Sequence, residues 1–355
     1  MAERWSGAGR NHAGLLGRPT LLTWCGAVLL LAAAVVAGVW RRHELAQAFA
    51  LIARVRVPQL MVAVAAEALS MACFAAVPRR LLRAGGVRWS LRRTGVIVVA
   101  ANAVAGALPG GAALAGAWTF RQLHRRGVDP ALAAAVLVCA GALSALGLGI
   151  VIVVGLATLG ATGAAAVLRP VADLLGLALL VGLVLLVLSR LAGFRAALRR
   201  CWDRAGRRSA RVDRAERALA RVAEQIRSLR PGPRTWLRPA VFALLNWLFD
   251  VACLIACLWA LGVGVPWHGI LLAYGLTQIP GSLRLTPGSL GVIEASLSVL
   301  LVWSGLAPGS AIAATLLYRA LSFWALQPVG WACWIGVTLH PDRPGAPDPP
   351  PPPHV

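Results

Sequence analysis

Glu67, Asp250, Arg284, Glu294 and Arg319 are the side chains whose types could do chemistry, because each stands inside or beside a long apolar run. An ionisable group at the centre of a bilayer costs about 2.5–3.5 kcal/mol on insertion scales, so it persists where it is paired or lines a wet path. Asn102, Asn246, Gln278 and Ser322 add uncharged polar groups to the same runs, and Asn246 and Asp250 share a helix face at i,i+4 spacing. A guanidinium presents a planar fork of donors that binds two phosphate oxygens at once. Arg284 and Arg319 are therefore candidates to meet an anionic headgroup, with Glu294 as their partner. The competing reading is an ion pair that staples one element to another. Glu67 and Asp250 stand evenly between a substrate path and a structural role. Asp173 follows Pro170 in the first turn of an apolar segment, where a carboxylate suits the helix dipole, and reads as a cap.

No catalytic constellation competes with these readings. H-E-x-x-H, Walker and G-x-S-x-G motifs are absent, the six histidines are isolated, and the seven cysteines form no Cys/His cluster. The cysteines read instead as small buried hydrophobes, Cys253 and Cys257 lying one helical turn apart. An enzyme using Asp250 or Glu294 as a base would lack a second group in register. Neither catalytic residues nor a metal nor a cofactor is implied, and any transport would be facilitated, ion-driven or powered by a partner.

These groups must be positioned by an unusual scaffold. Of 355 residues 59% are hydrophobic and 14% charged, with mean hydropathy +0.73. A soluble chain of this length needs far more polar surface. Apolar runs near the roughly 20 residues that span a bilayer recur at Leu21–Trp40, Ala131–Leu156, Leu174–Leu188 with its flanks, Leu237–Val263 and Ala311–Leu339. The fold class is an all-α polytopic membrane protein. The first run is too long for a signal sequence and has no A-x-A site, so it reads as a retained span.

The net charge of +22 comes from arginine alone. It points to membrane lipids with anionic headgroups as partners, in particular the anionic cytoplasmic leaflet, and not to nucleic acid. Arginine also orients the chain. It is dense in 78–93 and 121–126, fifteen arginines stand against four acids from Arg190 to Arg238, and 158–168 and 304–308 carry none. This expects a plasma-membrane protein with both termini cytoplasmic: an arm at 1–19, one transmembrane domain at 20–338 and a disordered proline-rich tail at 339–355. Within it, 190–238 is a basic cytoplasmic loop whose Val212, Leu219, Val222, Ile226 and Leu229 form an amphipathic stripe. That helix could lie on lipid headgroups or pack against the spans. The loop 41–57, with Arg41, Arg42, Arg54 and Arg56, falls outside in this scheme and violates the rule. Most tryptophans, among them Trp24, Trp40, Trp236, Trp247, Trp267, Trp303, Trp331 and Trp334, read as interfacial anchors near span ends.

The chain repeats itself with a shift of 178 residues. Pro109-Gly110 falls on Pro287-Gly288, Gly127 on Gly305, Pro130 on Pro308 and Ala142-Leu143-Ser144 on Ala320-Leu321-Ser322; 11 of 36 positions match between 109–144 and 287–322 without a gap. Each copy (cores 94–157 and 267–338) holds a short apolar segment (94–107, 267–281), a Pro-Gly break, a second short segment (112–124, 289–303), a Gly-x-x-Pro and a long span. Fourteen helical residues reach only about 21 Å of the ~30 Å hydrocarbon core. Each pair is therefore expected to be a re-entrant hairpin, the first entering from the cytoplasm and the second from outside. The total is about six full spans plus two hairpins, about eight membrane segments, in inverted repeats of the transporter kind whose tips meet near mid-membrane.

Pro287-Gly288-x-x-Gly291-x-x-Glu294, then Gly305 and Leu317-Tyr318-Arg319, resembles the transmembrane flippase-type domain of the lysylphosphatidylglycerol synthases over about residues 20–338. The resemblance implies an integral membrane protein that moves a lipid between leaflets, in synthase members an aminoacylated phosphatidylglycerol. Those members carry a soluble aminoacyl-transferase domain after the membrane part; here a proline-rich run follows, so a stand-alone, non-enzymatic form is expected. The first repeat has Ala113 and Gly116 where the second has Gly291 and Glu294, so the charged signature is complete only in the second copy. The substrate-path candidates are Arg284, Pro287, Gly288, Gly291, Glu294, Arg319, Asp250, Asn246, Asn102, Pro109 and Gly110. The leading function is translocation of a phospholipid or lipid-linked anionic substrate; the alternative is a non-transporting scaffold for a membrane enzyme such as a glycosyltransferase or lipid synthase.

Overall fold

A computed structural model describes residues 42–108, 110–158, 233–283 and 286–339. Every regular element among them is helical: α1 Arg42–Ile52, α2 Val57–Ala84, α3 Leu91–Ala107, α4 Gly111–Arg125, α5 Pro130–Thr158, α6 Pro233–Ala260, α7 Ile270–Leu283, a 3₁₀ turn Pro287–Ser289, α8 Val292–Trp303, α9 Pro308–Arg319, a π turn Ala320–Trp324 and α10 Leu326–Leu339. Local sequence sets several of the boundaries. Ser90 accepts from the Arg93 amide at the start of α3, and Asp129 Oδ1 accepts from the amides of Ala131 and Leu132 at the start of α5. Pro58 and Pro308 sit in first turns, where a missing N–H costs nothing.

Four stretches are long and apolar enough to cross a membrane: Val57–Ala84, Pro130–Thr158, Trp236–Ala260 and Pro308–Leu339. Their outward residues are apolar, as contact with lipid tails requires; Met61, Val138, Val153 and Leu237 are all more than half exposed. The expected spans at 21–40 and 174–188, Asp173 and nearly all of the loop 190–238 lie outside the described residues. The segment 41–57, read as a loop, is instead mostly helix α1, which packs on α9 with Gln47 against Gly309.

α2 and α6 form the central antiparallel pair. The Arg56 amide donates to the Ala260 carbonyl at one end, Ser70 Oγ donates to the Asn246 carbonyl in the middle, and Arg80 lies over the Phe242 ring further along. Around this pair the apolar core has two main clusters. One joins α2, α6 and the second repeat through Tyr274, Leu297, Leu301 and Tyr318. The other joins α2 to the first repeat through Leu81, Leu82, Ile97, Leu123 and Val136.

The 178-residue register links residues of like conformation. Gly127 and Gly305 both have positive φ (82° and 102°), and each ends its helix with the same two bonds. Val128 N–H reaches Leu123 O and Leu306 N–H reaches Leu301 O, while Gly127 and Gly305 donate three residues back to His124 and Val302. At the Pro-Gly breaks, Gly111 donates to Leu108 O and Ser289 to Thr286 O, again 178 residues apart. The four broken helices have 17, 15, 14 and 12 residues. At 1.5 Å per residue each is about 25 Å or shorter, below the ~30 Å of a hydrocarbon core.

Candidate functional site

The two breaks come together on one aromatic ring. A Cβ on Gly288 would collide with Phe323, and one on Gly106, at the end of α3, would meet Phe323 and Gln327. Gly288 therefore does two things no other residue can do here: it holds φ at 61° and leaves room for the ring. Next to it Ser289, at φ 53°, is held by its Oγ bond to the Gly281 carbonyl (2.8 Å).

Arg319 fastens this tip. Its Nε donates to Glu294 Oε1 (2.8 Å), its Nη2 to the Gly288 carbonyl (2.8 Å), and its guanidinium carbon lies 4.5 Å from the centre of the Phe323 ring. Glu294 uses its other oxygen to accept from the Gly291 amide (2.7 Å), which caps α8. Those two bonds use two of the five guanidinium N–H groups. Arg319 is 5% exposed and faces a chamber of about 270 Å³. Directly after it the chain widens into the π turn 320–324, with Ala325 N–H bonded to Ala320 O, a distortion common at functional sites.

The chamber is lined by polar groups from both repeats and from the central pair. Ser144 and Ser322, equivalent in the 178-residue register, both face it. On the central pair, Ser70 Oγ donates to Asn246, and Glu67 and Asp250 lie close enough to interact electrostatically. Asp250 accepts from Tyr274 Oη at 2.6 Å and from Tyr318 Oη at 2.7 Å, one hydroxyl for each carboxylate oxygen. The sequence holds only two tyrosines, so both are committed to this carboxylate. Trp247 donates to the Ser144 carbonyl (2.8 Å) and lines the chamber in mid-helix, so it is not the interfacial anchor its composition suggested. Trp267 and Trp303, at helix ends and about half exposed, keep that reading.

A second, larger cavity of about 560 Å³ adjoins the chamber and shares Phe74, Asn102, Ser144, Asn246, Trp247 and Gln278 with it. Its remaining walls are mostly apolar and come mainly from α2 to α5, with Ala243 of α6 and Ser282 of α7. They reach Leu82, Trp89 and Leu123, beside the arginine-dense segments 79–93 and 121–126. Arg79 and Arg93 both engage Trp89 there, one through the carbonyl and one over the ring.

Of the residues singled out in the sequence, Glu67, Asn102, Asn246, Asp250, Gln278, Gly288, Arg319 and Ser322 line the chamber, and Glu294 joins it through Arg319. Gly110, Pro287 and Gly291 are exposed and line neither cavity. Pro109 and Arg284 lie outside the described residues. Sequence reading passed over Ser70, Ser289, Tyr274 and Phe323, and took Ser144 and Tyr318 only as parts of motifs. The scarcity of tyrosine, with both copies inside apolar runs, was the signal available.

Broken, paired short helices that meet beside a polar chamber, with spans of lipid-facing surface around them, define a polytopic helical membrane protein. Residues 17–330 match the family described as the lysylphosphatidylglycerol synthase TM region, and the chain belongs to that family. It is also similar, at 29% and 27% identity over 90 residues, to two "UPF0104 membrane protein" sequences of Methanothermobacter thermautotrophicus. Each of these alignments covers 25% of this chain and 27% of the relative, so the match spans about a quarter of either length.

Proposed function

We propose that this protein moves a phospholipid, or another lipid with an anionic headgroup, between the leaflets of the plasma membrane. The observation that carries the reading is the joining of a polar chamber, bearing Arg319, to a larger apolar cavity. One end suits a phosphate and the other suits acyl chains, which is the division within a single lipid molecule. The arginines near Trp89 and Leu123 would gather anionic headgroups at the cytoplasmic mouth. Asn102, Asn246 and Asp250 would line the headgroup path, and Pro287, Gly288, Gly291 and Glu294 would shape its hairpin tip. Pro109, Gly110 and Arg284 remain candidates on the same path.

The test is transfer in proteoliposomes carrying a panel of fluorescent lipids that differ in headgroup. Labelled anionic phospholipid should become accessible to a membrane-impermeant quencher added outside, at a rate that depends on the headgroup. Inner-leaflet label that stays protected for every headgroup would sink the reading.

In this reading α3–α4 and α7–α8 are re-entrant hairpins that enter from opposite sides, within about six full spans. In a background cleared of native cysteines, Arg125→Cys should react from the cytoplasm and Ala307→Cys from outside. Labelling of both from one side would make the repeats parallel and end the inverted arrangement.

A further inference from the structure

We propose that Glu67 is a proton-binding site of the chamber, holding its proton as a neutral carboxylic acid beside Asp250, whose two oxygens are already taken by tyrosine hydroxyls. Glu67 is 5% exposed, and its Oε2 is buried without a hydrogen-bond partner while the side chain faces the chamber. A buried carboxylate with a bare oxygen is among the costliest groups a protein can hold. The neighbours offer its carboxyl only the Cys253 thiol, a weak donor. The ionisable groups facing Glu67 are Asp250 and Cys253 from α6, Tyr274 from α7 and Tyr318 from α9. Asn102 of α3 and Ser144 of α5, on the other sides, are uncharged. Arg319, the cation within electrostatic reach of Asp250, is bonded to Glu294 instead.

Three carboxylates thus share one guanidinium around the chamber among the described residues. The two unpaired ones differ in solvation. Each oxygen of Asp250 accepts a tyrosine hydroxyl, whereas Glu67 Oε2 has no donor facing it and is the place for a proton. Among the described residues no group of three or more Asp, Glu, His or Cys side chains is placed to hold a metal ion, so the donor set suits a proton better than a multivalent cation. The step is proton uptake from chamber water onto Oε2 and its return, with no change of oxidation state.

Resting on the reading under Proposed function, this site also gains a use. A phosphate that engages Arg319 brings negative charge into the chamber, which favours the neutral form of Glu67, so anion entry and protonation of Glu67 assist each other. By linkage, acid would then favour headgroup binding to the same degree. Lipid transfer should be sustained at neutral pH and below, and should fall on the alkaline side of neutrality as Glu67 gives up its proton.

Infrared difference spectroscopy of the purified protein in lipid nanodiscs tests the site without reference to transport. At neutral pH a protonated-carboxyl stretch should be present and should vanish in Glu67→Gln. In case that variant fails to fold, the unsubstituted protein labelled with carbon-13 glutamate should show the same band displaced to lower frequency. A band that is absent at neutral pH, or that moves with labelled aspartate instead, overturns the proposal. In proteoliposomes, transfer that is independent of pH overturns the coupling, whereas no transfer at any pH defeats the transport reading and leaves the infrared result standing.

Discussion

Glu294→Gln is expected to cost about 3–5 kcal/mol of stability, and Arg319→Gln less, about 1–3 kcal/mol. The difference follows from what each substitution strands. Losing the carboxylate leaves a guanidinium whose side chain is 7% exposed with no counter-charge, the costly way to break a buried pair. Losing the guanidinium leaves a carboxylate that is 17% exposed and still bonded to the Gly291 amide at a helix N-terminus, where negative charge is favoured. The double variant, both residues changed to Gln, should recover most of the stability because neither charge is stranded. Transport separates the two roles of Arg319. If its free N–H groups meet a lipid phosphate, transfer falls about a hundredfold in Arg319→Gln and in the double variant alike, matching the roughly 1.5–3 kcal/mol of a charge-assisted bond. Arg319→Lys should be partly active at best, since an ammonium has no planar fork to reach Glu294 and Gly288 together. Thermal melting in detergent and the proteoliposome assay, run on the same four proteins, decide the matter. A double variant that is stable and fully active would reduce Arg319 to a structural staple.

The scaffold was far more legible in the sequence than the chamber. Length and composition alone place the apolar runs at 131–156, 237–263 and 311–339, and Pro130–Thr158, Trp236–Ala260 and Pro308–Leu339 are helices of spanning length. Glycine and proline punctuate the sequence because backbone geometry demands them, so Gly127 and Gly305 could be matched before their shared turn was seen. The spacing Gly291-x-x-Glu294 was legible as a motif, but the cap it forms shows only in the fold. Long-range chemistry was not legible. Tyr274 and Tyr318 lie 24 and 68 residues from Asp250, and no pattern of spacing announces that they converge on it. Nor does apolar periodicity distinguish a wall that faces lipid from one that faces a cavity, which is why Trp247 was misplaced at an interface. The helix α1 was obscured by its arginines, which fit the loop reading as well as they fit a helix end.

The second large effect comes from a place where the two repeats differ. Shifted by 178 residues, Glu294 falls on Gly116 and Arg319 on Gly141. Where the second repeat joins helix to helix with an ion pair, the first has two glycines, and a Cβ at either would meet nothing within 4 Å. Both glycines line the apolar cavity, so the missing pair leaves part of that space open. Under the transport reading, one gate is held shut by Arg319 and its counterpart stands open towards the arginine-rich end. Gly116→Leu and Gly141→Leu should then fill the cavity and block transfer while leaving the fold intact. Each replaces a helix-interior glycine, so stability should rise by about 0.5–1 kcal/mol and not fall. That opposite sign is what makes the pair informative, because lost transfer in a protein that melts higher is not explained by misfolding. Installing the pair itself, Gly116→Glu with Gly141→Arg, should close the first repeat as the second is closed and stop transfer as effectively. Transfer at the normal rate in both leucine variants would mean that the lipid does not pass through this cavity, whatever Arg319 does at the other end.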